Sequence, residues 1–175
     1  MTLLSTENPS TQNRVWSCPF DASGYEIIRV LAQLKINNTT EGYYSLMQMG
    51  LDAISVSGNL ENGIVWGWYN GSTQTDPTAY ACIFPFIYRG DDTTQTVYNF
   101  LDFTISPLPN IANRYALNGR YNWVSDEGLA TSAIGMFTAS VHNLQTVASI
   151  EFNTGLTGVE YETVSQVNIY GIDVG

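Results

Sequence analysis

Cations are scarce in this sequence. Its 175 residues include 16 Asp and Glu but only 6 Lys and Arg, a formal net charge of −10, and Lys35 is the one lysine. Phosphate recognition needs clustered Lys and Arg, so nucleic acid is excluded as an expected partner. The same deficit excludes an anionic membrane surface. Charge of either sign is low, at 13% of residues, against roughly 25% in an average domain. Long apolar runs are missing as well, none approaching the roughly 18 residues that span a bilayer. The opening residues, Met1 to Ser10, carry neither the cationic nor the apolar region of a secretory leader. The N-x-[ST] sites at Asn37, Asn38 and Asn70 therefore read as surface turns. Two cysteines, Cys18 and Cys82, make no disulfide framework and read as small buried hydrophobes.

Catalytic groups are as thin as the cations. His142 is the one histidine, and no G-x-S-x-G elbow is present to offer it a nucleophile. One His and two distant Cys do not make a zinc site. The run Gly67-Trp68-Tyr69-Asn70-Gly71 lacks the lysine and helix of a phosphate loop. Asp91-Asp92, Asp126-Glu127, and the pair Glu160 and Glu162 fall in turn-like sequence and read as solvated carboxylates, without EF-hand spacing. No catalytic, cofactor-binding or metal-binding residue is assigned, no cofactor is expected, and the expectation is a protein that is not an enzyme.

What is abundant is apolar and aromatic. Hydrophobic residues make up 44% and aromatics 13%, too many for a disordered chain. The polar remainder is mostly Thr, Asn, Ser and Gln, a surface that suits β-rich extracellular or virion proteins. Short apolar runs recur between turn-forming clusters, and no stretch holds the 3.6-residue period of a helix. About eight strands are expected: 25–35, 43–51, 53–57 (which merges with its predecessor on one reading), 64–69, 79–88, 96–105, 134–141, 146–152 and 166–172. Asn62-Gly63 and Asn70-Gly71 supply turns, and residues 90–94 a hairpin tip. Residues 106–131 read as a long loop. In 97–105, Val97, Asn99, Leu101, Phe103 and Ile105 share one face, while Tyr98, Phe100, Asp102 and Thr104 share the other. The strand at 167–172 is apolar on both faces and reads as central.

The aromatics supply the candidate site. Trp66 and Trp68 lie two apart and so share a strand face. Exposed, they make a platform on which sugar rings stack; buried, they are core. Tyr43, Tyr44, Tyr80, Tyr88, Tyr115 and Tyr121 suit a sugar site or a subunit interface. The candidate glycan or interface residues are Trp66, Trp68, Tyr69, Tyr88, Tyr121 and Trp123.

An ordered set of short motifs resembles a known family. Phe20-Asp-Ala-Ser-Gly-Tyr25-Glu-Ile-Ile28-Arg29-Val is similar to the first core strand of small jelly-roll structural proteins of tailed bacteriophages. Phe103-Thr-Ile-Ser-Pro-Leu-Pro-Asn110-Ile-Ala112-Asn113 is similar to that family's strand with a following Pro- and Asn-containing loop. Val147-Ala-Ser-Ile150-Glu-Phe152, then Ser165-Gln-Val-Asn-Ile-Tyr170-Gly171-Ile172, resembles the pair of strands that closes its fold. The sequence departs from the family at Tyr69-Asn70-Gly71-Ser72, where an Asn-Gly-Asp loop is common. The resemblance implies a single-domain, all-β jelly-roll β-sandwich of about eight antiparallel strands over residues 16–175. Residues 1–15 are expected as an extended arm that orders only against a partner. It further implies a non-enzymatic virion component, made in the host cytoplasm and placed on the exterior of capsid or tail. The leading expectation is a capsid decoration or cement protein, a homotrimer that partners the major capsid protein or other virion proteins. The alternative is a carbohydrate-binding receptor-recognition module of a tail fibre or baseplate.

Overall fold

Alternation of apolar and polar residues decides which way each strand of the larger sheet faces. Along β3 (Ile27–Asn38), Ile28, Val30, Ala32, Leu34 and Ile36 are buried, whereas Arg29, Leu31, Gln33 and Lys35 are not. Along β8 (Thr96–Pro107), Asn99, Leu101, Phe103 and Ile105 are buried and Tyr98 and Phe100 exposed, the division that the sequence implies. β13 (Gln166–Ile172) buries Val167, Ile169 and Gly171. Side chains of successive residues leave a strand on opposite faces, so one period-two pattern repeated across paired strands builds one apolar sheet face.

The computed structural model describes residues 1–38, 47–51, 60–68, 73–76, 83–84, 96–125, 133–142, 146–153 and 158–175. The remaining strands are β1 (Thr2–Glu7), β2 (Val15–Pro19), β4 (Met47–Leu51), β5 (Leu60–Trp68), β6 (Thr73–Asp76), β7 (Ile83–Phe84), β9 (Arg114–Ser125), β10 (Ala133–His142), β11 (Ser149–Asn153) and β12 (Val159–Tyr161). Among the described residues there is no helix, and so none that is long and apolar enough to cross a membrane. A nine-stranded sheet has the order β1-β13-β3-β8-β9-β10-β5-β6, with β12 also paired to β3, and a four-stranded sheet has the order β2-β11-β4-β7. Every pairing is antiparallel. Trp16, Cys18, Leu51, Ile150 and Phe152 of the smaller sheet share one core with the buried face of the larger. The fold is thus all-β, with two sheets packed in the manner of a β-sandwich. At its centre Trp16, Phe152 and Tyr161 bring three rings together, with centroids 6.1 to 6.4 Å apart. Jelly-roll connectivity is not established by this order: β8, β9 and β10 follow one another inside one sheet, whereas interleaved Greek keys carry the chain between sheets.

Several expectations need correction. Residues 2–7 are no free arm but strand β1, paired with β13 from Thr2↔Gly171 to Glu7↔Val167 with a register shift between Leu3 and Ser5; Leu4 packs on the core and the Thr6 hydroxyl donates to Asn168 Oδ1. Of the expected long loop at 106–131, the described residues 106–125 are mostly strand. A short turn with left-handed Asn110 and Asn113 leads into the twelve residues of β9, whose Tyr115, Leu117, Gly119, Tyr121 and Trp123 alternate with Arg114, Ala116, Asn118, Arg120, Asn122 and Val124. Gly119 interrupts the apolar series, and it does so because the β8 backbone and the Phe103 Cβ occupy the space a side chain would need. Asn62-Gly63 is no turn, since both residues pair with β10 inside β5. Asn37 and Asn38 belong to β3. The expected strand 53–57, the tip at 90–94 and Asn70-Gly71 lie outside the described residues. β13 is central, between β1 and β3, as its two apolar faces imply.

One polar side chain stitches the edge of this sheet. β12 and β13 both pair with β3, and the turn between them is held by Ser165, which is fully buried. Its Oγ accepts from the Lys35 backbone N–H and donates to the Lys35 carbonyl, both at 3.0 Å. Its own carbonyl accepts from Asn8 Nδ2 at 2.7 Å, so β1, β3 and β13 meet at one residue. Ser165→Ala takes both bonds from the half-buried Lys35 backbone, whose carbonyl keeps the Glu162 N–H, and is expected to cost about 1 kcal/mol, read as a lower urea midpoint at unchanged slope.

Candidate functional site

Register decides what the candidate aromatics have in common. Directly opposed residues of an antiparallel sheet share a face. One row runs Ala32, Leu101, Tyr121, Gly135, Trp66 across five strands; the next runs Leu34, Asn99, Trp123, Ala133, Trp68. Ala32, Leu34, Asn99, Leu101 and Tyr121 in these rows are buried. Trp66, Trp68 and Trp123 thus sit at register positions of the core-facing rows. Their side chains lie outside the described residues, as do Tyr69 and Tyr88 altogether. Tyr121 is corrected: it is 3% exposed and offers no ring to a sugar or a neighbour. Its ring instead lies over Gly135, where an added Cβ would come within 2.6 Å of the phenol. Burial pushes its hydroxyl well above the usual range.

The exposed aromatics are on the other face. There one row runs Asn168, Leu31, Asp102, Arg120, Met136, and the next Gln166, Gln33, Phe100, Asn122, Ile134. Ile134 is 65% exposed, Met136 70% and Phe100 39%, with Tyr98 and Val124 exposed beside them. Scattered apolar residues are normal on a surface, but a contiguous group on one sheet face marks an interaction surface. Between the rows lies a shallow depression of about 470 Å³, lined by Leu31, Gln33, Phe100, Asp102, Arg120 and Asn122 among others. Sequence reading had Tyr98 and Phe100 on this face but missed its significance. The missing signal is in Ala133-Ile134-Gly135-Met136, where the small residues take the core rows and the large ones face out.

Asp102 organises the charge here. Arg29 approaches it with two donors, Nε to Oδ1 at 3.0 Å and Nη2 to Oδ2 at 3.1 Å. From the opposite strand, Arg120 Nη2 donates to Oδ2 at 2.9 Å. The hydrogen bonds from Arg29 hold the Asp102 carboxyl below the usual carboxylate range; burial opposes them, and the hydrogen bond from Arg120 adds to the lowering. Arg120 is 71% exposed, so most of its guanidinium remains open to solvent. Lys35 pairs with Glu162 at 2.7 Å.

Among the described residues the remaining chemical groups form no cluster that could hold a metal ion. Cys18 is buried and free, and burial raises its thiol far above the usual range, which suits a packing residue rather than a nucleophile. Cys82, Asp91-Asp92 and Asp126-Glu127 lie outside the described residues. His142 ends β10, opposite Arg114. Among the described residues no group of three His, Cys, Asp or Glu is placed to hold a metal ion. No protein-family model, curated protein or solved structure matches the chain.

The lowered Asp102 carboxyl has a consequence for acid stability. Its depressed folded value means that its contribution is present above the unfolded value of about 3.8 and is lost as pH falls through the folded value. Asp102→Asn is therefore expected to lower stability near pH 7 while shrinking the acid-induced loss below about pH 4. Urea midpoints of both proteins over that range check this.

Proposed function

We propose that this chain is a non-enzymatic structural protein of a tailed-bacteriophage virion, of the capsid decoration or cement kind, which acts by packing against other virion proteins. The observation that carries the reading is the outward face of the large sheet. It pairs exposed aliphatic side chains, Ile134 and Met136, with Phe100, Tyr98 and a set of satisfied charges. Aliphatic side chains at the centre of a flat face suit burial against protein, where Met and aromatics are enriched. The family resemblance adds support, because two of its separated motifs belong to one packing unit: β3 pairs with β13, and the Tyr25 ring lies directly against Gly171. A rigid sandwich with low surface charge, few cations and no assigned chemistry suits a component outside the shell that does not hold packaged DNA. The test is mass spectrometry and antibody labelling of purified particles from the virus that encodes the chain. A stoichiometric, surface-accessible band is expected; absence from the particle overturns the reading.

One observation favours a second reading, the carbohydrate-binding module. Phe100 is flanked in its row by the amides of Gln33 and Asn122, and a ring beside planar amides is a set that sugars use. On that reading a glycan array returns a defined hit that Phe100→Ala abolishes, with the thermal midpoint little changed because Phe100 is exposed.

A further inference from the structure

We infer that the cavity at the β2–β3 end of the sandwich docks a protein partner, which inserts an apolar side chain flanked by Lys or Arg. The inference rests on the assembly reading above and names the chemistry of the partner. It concerns a different surface from the outer face of the large sheet. The cavity holds about 400 Å³, within the roughly 300–1,000 Å³ of ligand pockets. It opens where the two sheets part. Ile28 of β3, Ile105 of β8 and Tyr115 of β9 line one side, and Phe20, just after β2, and Val147, just before β11, line the other. The Phe20 N–H donates to the Ala148 carbonyl at 2.8 Å, which ties the smaller-sheet side together. Depth decides what can enter. Phe20, Ile28, Ile105 and Val147 form the floor and are between 1% and 8% exposed. Such a floor offers no partner to the hydroxyls of a sugar, and a hydroxyl buried unpaired is costly. It suits an apolar side chain. The half-buried Tyr25 and Tyr115 add ring surface at the walls, and tyrosine is enriched where proteins meet.

Charge decides what carries that side chain. Asp21 and Glu26 stand on the rim, both exposed, and no Lys, Arg or His is among the described residues that line the cavity. Arg29, three residues after Glu26, gives its guanidinium to Asp102 instead, and neither it nor Arg114 beside Tyr115 is part of the lining. The Ser23 N–H donates to Asp21 Oδ1 at 2.9 Å and holds this carboxyl below the usual range, so it stays ionised. The Tyr25 N–H donates to the Ala22 carbonyl at 3.1 Å. With both bonds the turn that bears the rim is shaped before a partner arrives, which lowers the cost of binding. An anion is repelled from this mouth, and a cation next to the inserted side chain is drawn to it. The chain as a whole has a formal net charge of −10, so a Lys- and Arg-bearing partner complements it and a second copy does not.

Titration of the full chain with short peptides of blocked termini, followed by amide chemical shifts, tests this. The probe is Lys-Phe-Lys, compared with Glu-Phe-Glu and Lys-Ser-Lys. Lys-Phe-Lys is expected to shift the amides of Ser23, Thr146 and Ala148, and to bind about tenfold or more tighter than either comparison peptide. Asp21→Asn combined with Glu26→Gln is expected to weaken it about three- to tenfold. Thr146→Trp, which sets a ring at the mouth, is expected to abolish binding, whereas Phe100→Ala on the outer face leaves it unchanged. All four positions are exposed, so the fold is expected to survive each change, and thermal midpoints check this. The inference is overturned if Lys-Phe-Lys does not bind saturably, or if either comparison peptide binds as well. Binding indifferent to the rim variants overturns it too, as does a saccharide that fills the cavity in place of the peptide. Peptide binding by a chain absent from particles sinks the virion reading alone; a chain found on particles that binds no peptide sinks the inference alone.

Discussion

Among the described residues, the apolar face of a path of eight paired strands is covered by a sheet of four, and the rest of the structure depends on how that face is covered. Trp16, Cys18, Leu51, Ile150 and Phe152 cover the inner rows of β3, β8 and β13. Farther along the large sheet, β9 supplies its own cover. The Tyr121 ring lies over Gly135 of the neighbouring strand, so a large side chain on β9 is matched by none on β10. The same pairing of large with small residues recurs where Tyr25 lies against Gly171. Glycine in these strands serves close approach, and neither position has an unusual backbone angle.

The outer face obeys a different rule. A sheet face that meets only water has little reason to hold Ile134 and Met136, since their exposure gains nothing for the fold. The charges beside them are not scattered either: Asp102 collects two guanidinium groups from β3 and β9. Such a cluster fixes three side chains on an otherwise smooth surface, which lowers the entropy lost when something packs against them. Few lysines serve the same end, because long mobile side chains are expensive to immobilise.

How much of this was legible in the sequence depends on the strand. β8 and β13 could be read face by face, because their alternation is unbroken over the whole element. β9 could not, because Gly119 sits at a core position for a reason that only the adjacent Phe103 reveals. Asn62-Gly63 carried a turn signal that strand pairing on both sides of β5 overrode, as tertiary context commonly does to local propensity. β1 was hidden by its polar composition: Ser5 and Thr6 suit an edge strand as well as a free arm. Of the candidate aromatics, Tyr121 is buried and Phe100, which was not among them, is exposed. Tyr121 is conspicuous in sequence, but nothing local distinguishes it from Phe100; the difference lies in a register that long-range pairing sets.

The placement of β1 also concerns time. Its partner is β13, and Thr6 bonds to a residue 162 positions later. During synthesis that whole separation passes between β1 and its partner. Contacts of such sequence separation form late and slowly. Until then β1 is a strand without a sheet, and the β13 of a neighbouring copy offers it the same hydrogen bonds as its own. A protein built in this way carries within its sheet edge a route to strand exchange between copies, open for as long as folding takes and closed once β13 is paired.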